Sequence, residues 1–133
     1  MGPLTVLDTD VLVDHFRGLK EATSYIKSLQ VGQRSITDIT VMELFKGAAN
    51  QEELSLIDRF LNRNRFVVLS VSESASRQAV QILKRYALSH GLGIPDALIA
   101  AIVLEADNTL VTGNMRHFEF IDRLRAIRPP YRS

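Results

Sequence analysis

The chain has no cysteine. Disulfides, thiolate metal sites and cysteine nucleophiles are therefore excluded. Long hydrophobic runs are missing too. The longest, Ala97–Leu104, is eight residues, against the roughly 20 that a membrane-spanning helix needs. The first residues lack a basic segment followed by an apolar stretch, so no secretory signal is expected and the protein reads as cytoplasmic. Neither sign of charge dominates: 16 Lys and Arg stand against 15 Asp and Glu, a net charge of +1. A strong basic excess would mark a nucleic-acid binder; here any such contact has to rely on a local patch. There is no linker, low-complexity tract or internal repeat, and 133 residues fit one domain, 1–133. With 46% hydrophobic residues the chain can build a core, and 23% charged residues is ordinary for a globular protein.

What is present is an alternation of strand and helix patterns. Leu4–Leu7 reads as a short buried strand. Asp10 is placed to cap a helix from Val11 to about Arg17, and Lys20–Gln30 follows as a second helix. Arg34–Thr37 is a strand, and Asp38 or Thr40 caps a helix running to Gly47. Gln51–Asn62 is helical, with Leu54, Ile57, Phe60 and Leu61 at helical spacing. Phe66–Ser70 is a strand of β-favouring residues. Ser72–Ser89 is a long helix with one apolar stripe, Ala75, Ala79, Ile82, Leu83 and Tyr86. After a loop at Gly91–Pro95, Asp96–Ala106 is a helix apolar nearly all round. Thr109–Thr112 is a strand, and Ala126-Ile127 a last short one. This order implies parallel crossovers and a three-layer α/β/α sandwich with a mainly parallel central sheet.

Three carboxylates stand where elements meet. Asp8 ends the first strand, Glu43 lies in the third helix, and Asp96 opens the most apolar helix. In a parallel sheet the carboxyl ends of the strands border the ligand crevice. Each acid also has a structural reading. Asp8 suits a turn or cap, and Asp10 competes with it as ligand or cap. Thr40-Val41-Met42-Glu43 matches a capping box, although Met42, Phe45 and Ala49 form a core-facing stripe that leaves Glu43 on another side of the helix. Asp96 is a helix-start residue whose burial would need a partner or a cation. Taken together, oxygen ligands without thiolate or clustered histidine suit Mg²⁺ or Mn²⁺, and such ions serve phosphoester chemistry.

Four segments carry a resemblance: Val6-Leu7-Asp8-Thr9-Asp10; Thr40-Val41-Met42-Glu43-Leu44 with Gly47; Ile94-Pro95-Asp96-Ala97-Leu98-Ile99-Ala100-Ala101; and Leu110-Val111-Thr112-Gly113-Asn114 with Phe118. In this order and spacing, over nearly the whole length, the chain resembles a PIN-domain ribonuclease, and is most similar to VapC, the toxin half of VapBC toxin–antitoxin pairs. The resemblance implies a Mg²⁺- or Mn²⁺-dependent endoribonuclease with a four-acid site. Asp8, Glu43 and Asp96 fall on the first three acidic positions, as metal ligands and catalytic residues. The fourth falls at Asn114, an amide, which removes one charge and weakens the hold on a second ion. Thr112 matches a threonine that orients a ligand or phosphate. The resemblance also implies an RNA substrate, a small VapB-like antitoxin partner and a homodimer, for which Leu12, Val13, Phe16, Tyr25, Ile26 and Leu29 are candidate interface residues or plain core.

Arg116, just after Asn114, is the favoured phosphate contact; Arg17, Lys46 and the group Arg59, Arg63 and Arg65 are others. His15, His90 and His117 show no ligand spacing and receive no catalytic role. Other readings remain. A PIN-like module that binds RNA or protein without cutting is supported by Asn114. A haloacid-dehalogenase-type phosphatase is suggested by Asp8-Thr9-Asp10-Val11, but no lysine follows Asn114. A receiver-like domain lacks an aspartate at the end of Phe66–Ser70.

Overall fold

The structure, a computed structural model, describes residues 3–132. Strand β1 (Thr5–Leu7) leads into helices α1 (Thr9–Phe16) and α2 (Lys20–Ser28). Then come β2 (Arg34–Thr37), α3 (Asp38–Lys46), α4 (Gln51–Arg63) and β3 (Val67–Leu69). The second half is α5 (Glu73–His90), α6 (Ile94–Leu104), β4 (Thr109–Val111), a 3-10 turn at Met115–His117, and β5 (Ala126–Ile127). The sheet order is β3-β2-β1-β4-β5, and every pairing is parallel. The chain therefore winds outward from β1 to β3, then returns to lay β4 against the open side of β1. That reversal puts a crevice between the carboxyl ends of β1 and β4.

Alternation along the strands divides the core into two layers. Val6 and Leu110 face α5 and α6, while Leu7 and Val111 face α1 to α4. Helix α6 is buried nearly all round, with Ala97, Ile99, Ala100 and Ala101 fully covered. Its small residues let α5 and the sheet approach closely. Asn108 ties the start of β4 to that of β1, its Oδ1 accepting from the Leu4 N–H at 2.9 Å.

Several helix starts differ from the sequence reading. The α1 cap is Asp8, whose Oδ1 accepts from the Thr9 N–H at 2.8 Å; Asp10 lies inside the first turn and does not cap. The α3 cap is Thr37, which accepts from Thr40 N–H at 3.1 Å, in place of Asp38 or Thr40. No capping box forms, because Glu43 is engaged elsewhere. Helix α6 begins two residues early: Gly93 takes the cap position and Pro95 sits in the first turn, where its missing N–H is harmless. Met42 and Ala49 are exposed; α3 buries Ile39, Thr40 and Leu44 instead. Of the candidate interface residues, Leu12 and Ile26 are fully buried core.

Candidate active site

Asp8, Asp10, Glu43 and Asp96 line one open cavity of about 480 Å³, together with Thr9, Asp14, Arg17, Asn114, His117 and Arg132. The elements that deliver them explain the convergence. Asp8 is the first residue past β1, so it sits at the crevice and caps α1. Its two oxygens are both occupied: Oδ1 by the Thr9 N–H, and Oδ2 by the Thr112 hydroxyl at 2.7 Å. Thr112 is the residue after β4, so this bond spans the two strands that flank the reversal. Glu43 is one helix away. Its Oε1 accepts from the Thr9 hydroxyl at 2.7 Å, and Thr9 in turn shares a hydrogen bond with Thr40 at 2.9 Å. Asp96 is held near the start of α6, with Oδ2 3.2 Å from His117 Nδ1.

Electrostatics set these acids apart from ordinary surface carboxylates. Burial, reinforced by the neighbouring Asp10, pushes the Asp8 carboxyl up to about 7. Burial also raises Asp10, and raises Asp96 despite the opposing pull of His117. Asp10 accepts from the Gly113 N–H through Oδ2 at 2.8 Å, while its buried Oδ1 has no partner among the described residues. These are crowded carboxylates that a cation would relieve. The donor set is all oxygen, which fits a hard ion such as Mg²⁺ or Mn²⁺. Among the described residues, no three acidic or histidine side chains stand close enough to hold an ion jointly. That spacing suits an ion that keeps most of its waters and takes one or two carboxylates directly.

The structure brings together Asp8, Glu43, Asp96 and Asn114 in one cavity, and Asp10, read from sequence as ligand or cap, lies in it too. Asn114 lines the cavity, and its backbone N–H donates to Thr112 Oγ1 at 3.0 Å. Thr112, expected to orient a ligand or a phosphate, is fully buried with its hydroxyl committed to Asp8, so it positions that carboxylate. Arg116 is exposed on the 3-10 turn and does not line the cavity. The guanidiniums that do are Arg17 and Arg132. Sequence reasoning missed Thr9, Asp14, His117 and Arg132. A hydroxyl between two acids and a histidine 21 positions from its aspartate leave no local pattern.

A PIN domain model matches residues 5–124. The chain belongs to the PIN-domain family. It is similar to the ribonuclease VapC19 of Mycobacterium tuberculosis, 31% identical over 131 residues, covering 96% of this chain and 100% of that protein. Ribonuclease VapC10 of the same organism is 32% identical over 130 residues, covering 96% of this chain and 93% of that one. Among solved structures, a toxin–antitoxin complex from Klebsiella pneumoniae aligns with a TM-score of 0.78 at 26% identity, over 97% of this chain and 99% of its own. DNA-bound VapBC from Salmonella typhimurium aligns with a TM-score of 0.79 at 25% identity, over 96% and 98%. The VapC-type PIN fold accounts for the strand order and for a crevice lined by acids. It also sets aside the dehalogenase and receiver readings, which belong to other families.

Proposed function

We propose that this PIN-domain chain is a VapC-type endoribonuclease, the toxin of a cytoplasmic toxin–antitoxin pair, and that it hydrolyses RNA phosphodiesters with Mg²⁺ or Mn²⁺. The observation that carries the reading is the convergence of four carboxylates from β1, α1, α3 and α6 on one cavity. The named ribonuclease relatives supply the reaction class, and the toxin–antitoxin complexes among similar structures supply the partner class, a small antitoxin.

Of Asp8, Glu43 and Asp96, one or two would hold the ion directly and the rest through its waters, with Asp10 alongside. When bound, it offsets phosphate charge and lowers the pKa of water. The chain's own residues fix the geometry. The Thr112 hydroxyl and the Thr9 N–H hold both oxygens of Asp8, so its position is set before any ligand arrives. The Thr9 hydroxyl aims Glu43, and His117 aims Asp96. Without a cation, burial leaves the Asp8 carboxyl titrating at about 7. Water attacks the phosphorus in line, and the leaving oxygen departs with a proton. No membrane is involved in this reading, and no described helix is long and apolar enough to cross one.

The deciding experiment incubates a structured RNA pool with the wild-type chain and with Asp96→Asn, each in Mg²⁺, Mn²⁺ or EDTA. Discrete cuts that need metal and vanish in the folded variant are expected. Cutting that persists in EDTA and in the variant overturns the proposal, and RNA retention without any cutting favours the non-cleaving binder suggested by Asn114.

A further inference from the structure

One cation of the cavity arrives by an unusual route. Because β5 is parallel to β4, its end emerges at the same crevice, and the Thr112 N–H donates to Ile127 O at 2.9 Å. The segment that follows is stiffened by Pro129 and Pro130, and the Arg132 N–H closes a turn onto Pro129 O at 3.0 Å. Tyr131 packs edge-on against Tyr25 of α2, and its hydroxyl donates to Asp14 Oδ2 at 2.9 Å. Asp14, on α1, is itself buried. It accepts from Arg132 Nε at 3.0 Å, and from Nη2 at 2.6 and 2.7 Å on its two oxygens.

This clamp uses one side of the guanidinium and leaves the other. Among the described residues, Nη1 has no acceptor, and it lies over Gly113. A Cβ built on Gly113 would stand 2.6 Å from Arg132 Nη1 and 2.6 Å from Asp10 Oδ2. Glycine at 113 is thus the space that admits both groups. On the β4 side of the cavity Thr112, Gly113 and Asn114 are all neutral. A second divalent ion there would find Asp10 beside Gly113 and Asp8 already bonded to Thr112, and would face a fixed guanidinium. The cavity as a whole still sets five carboxylates against two guanidiniums, so a divalent ion remains favoured elsewhere in it.

We propose that Arg132 is the second cation of this site: its guanidinium, clamped over Gly113 by Asp14, which Tyr131 holds in turn, binds the phosphate being cleaved, so that one divalent ion suffices. This rests on the ribonuclease reading. Guanidinium donors pair with phosphate oxygens in a fixed planar geometry, and a side chain already held by a carboxylate loses little freedom when it does so. Lysine lacks that fork.

The test uses the full chain, with Arg132→Gln, Arg132→Lys and Arg132→Ala. Electron paramagnetic resonance of Mn²⁺ counts ions bound to the protein alone. Wild type is expected to bind one, and Arg132→Gln to bind Mn²⁺ at least as tightly, since a nearby positive charge is gone. Cleavage by Arg132→Gln is expected to fall about 100-fold, mainly in kcat, the scale of losing a charge-stabilising donor. Arg132→Lys recovers only part of that, and millimolar guanidinium restores Arg132→Ala but not wild type. In an Asp96→Asn background, adding Arg132→Gln weakens RNA retention about tenfold. Two Mn²⁺ per wild-type chain, near-wild-type cleavage by Arg132→Gln, or a lowered melting temperature without guanidinium rescue would each overturn the proposal. If wild type cuts no RNA, the ribonuclease reading fails, and the ion count with the retention assay still decides for or against Arg132.

Discussion

Thr112 sits between the acid and the backbone that follows β4. Its hydroxyl donates to Asp8 Oδ2 and accepts from the Asn114 N–H. The donated bond favours the ionised carboxylate and opposes the burial that raises it. Thr112→Val keeps the shape and removes both bonds. Asp8 then holds its proton more tightly, so the rate–pH profile of cleavage should move to higher pH by about one unit, with about a tenfold loss near neutrality. The unpaired groups should cost about 1–3 kcal/mol in unfolding free energy. Thr112→Ser should restore both; an unshifted profile in the valine variant would sink the role. At this scale the acids were legible, because Asp8 ends a strand, Asp96 opens a helix and Glu43 lies within one, all elements visible in the pattern. Arg132 was not. Its place depends on β5 being parallel and on a turn at Pro129–Arg132, and nothing within Arg-Pro-Pro-Tyr-Arg tells a reader that the guanidinium reaches α1.

The elements were legible from periodicity, and their ends less so. The long stripe of α5 was read correctly, since Ala75, Ala79, Ile82 and Tyr86 are buried as spaced. The start of α3 was misread because three hydroxyl or carboxyl residues, Thr37, Asp38 and Thr40, stand within four positions. Only Thr37 has the extended backbone a cap needs, with its oxygen toward Thr40 N–H. The start of α6 was misread because Pro95 looks like a breaker, yet it fits a first turn. Helix α5 offers a clean test of how far capping acts alone. Ser72 accepts from the Ala75 N–H at 2.9 Å and donates to Glu105 at 2.5 Å, far from the cavity. Ser72→Ala should lower stability by about 1 kcal/mol, read by urea melts, with kcat/KM unchanged. A change in cleavage would mean that α5 communicates with the site.

At the scale of the whole molecule, the buried acids make metal-free stability depend on pH. Unfolded, Asp8 loses its proton near 3.8; folded, it keeps it to about 7. Below 3.8 both states are protonated and the full stability is present. Between 3.8 and 7 only the unfolded state releases the proton, so stability falls as pH rises, and above 7 the loss is complete. For Asp8 this amounts to about 4 kcal/mol, and Asp10 and Asp96, raised in the same direction, add to it. Thermal melts in EDTA should therefore drop from pH 4 to pH 8. Asp8→Asn should flatten most of that slope, and Mn²⁺ should raise the melting temperature far more at pH 8 than at pH 5. A wild-type melt in EDTA that is level across this range would contradict it.

The bond between Asp8 and Thr112 joins residues 104 positions apart. During synthesis the acids of β1, α1, α3 and α6 all leave the ribosome before β4 does, and β1 waits with one side open until Thr109–Val111 arrives to pair with it. A nascent chain can fold its early helices and still lack the crevice. The ribosome is the largest body of RNA within reach of such a chain, and it has already translated past β4 before there is anything able to cut.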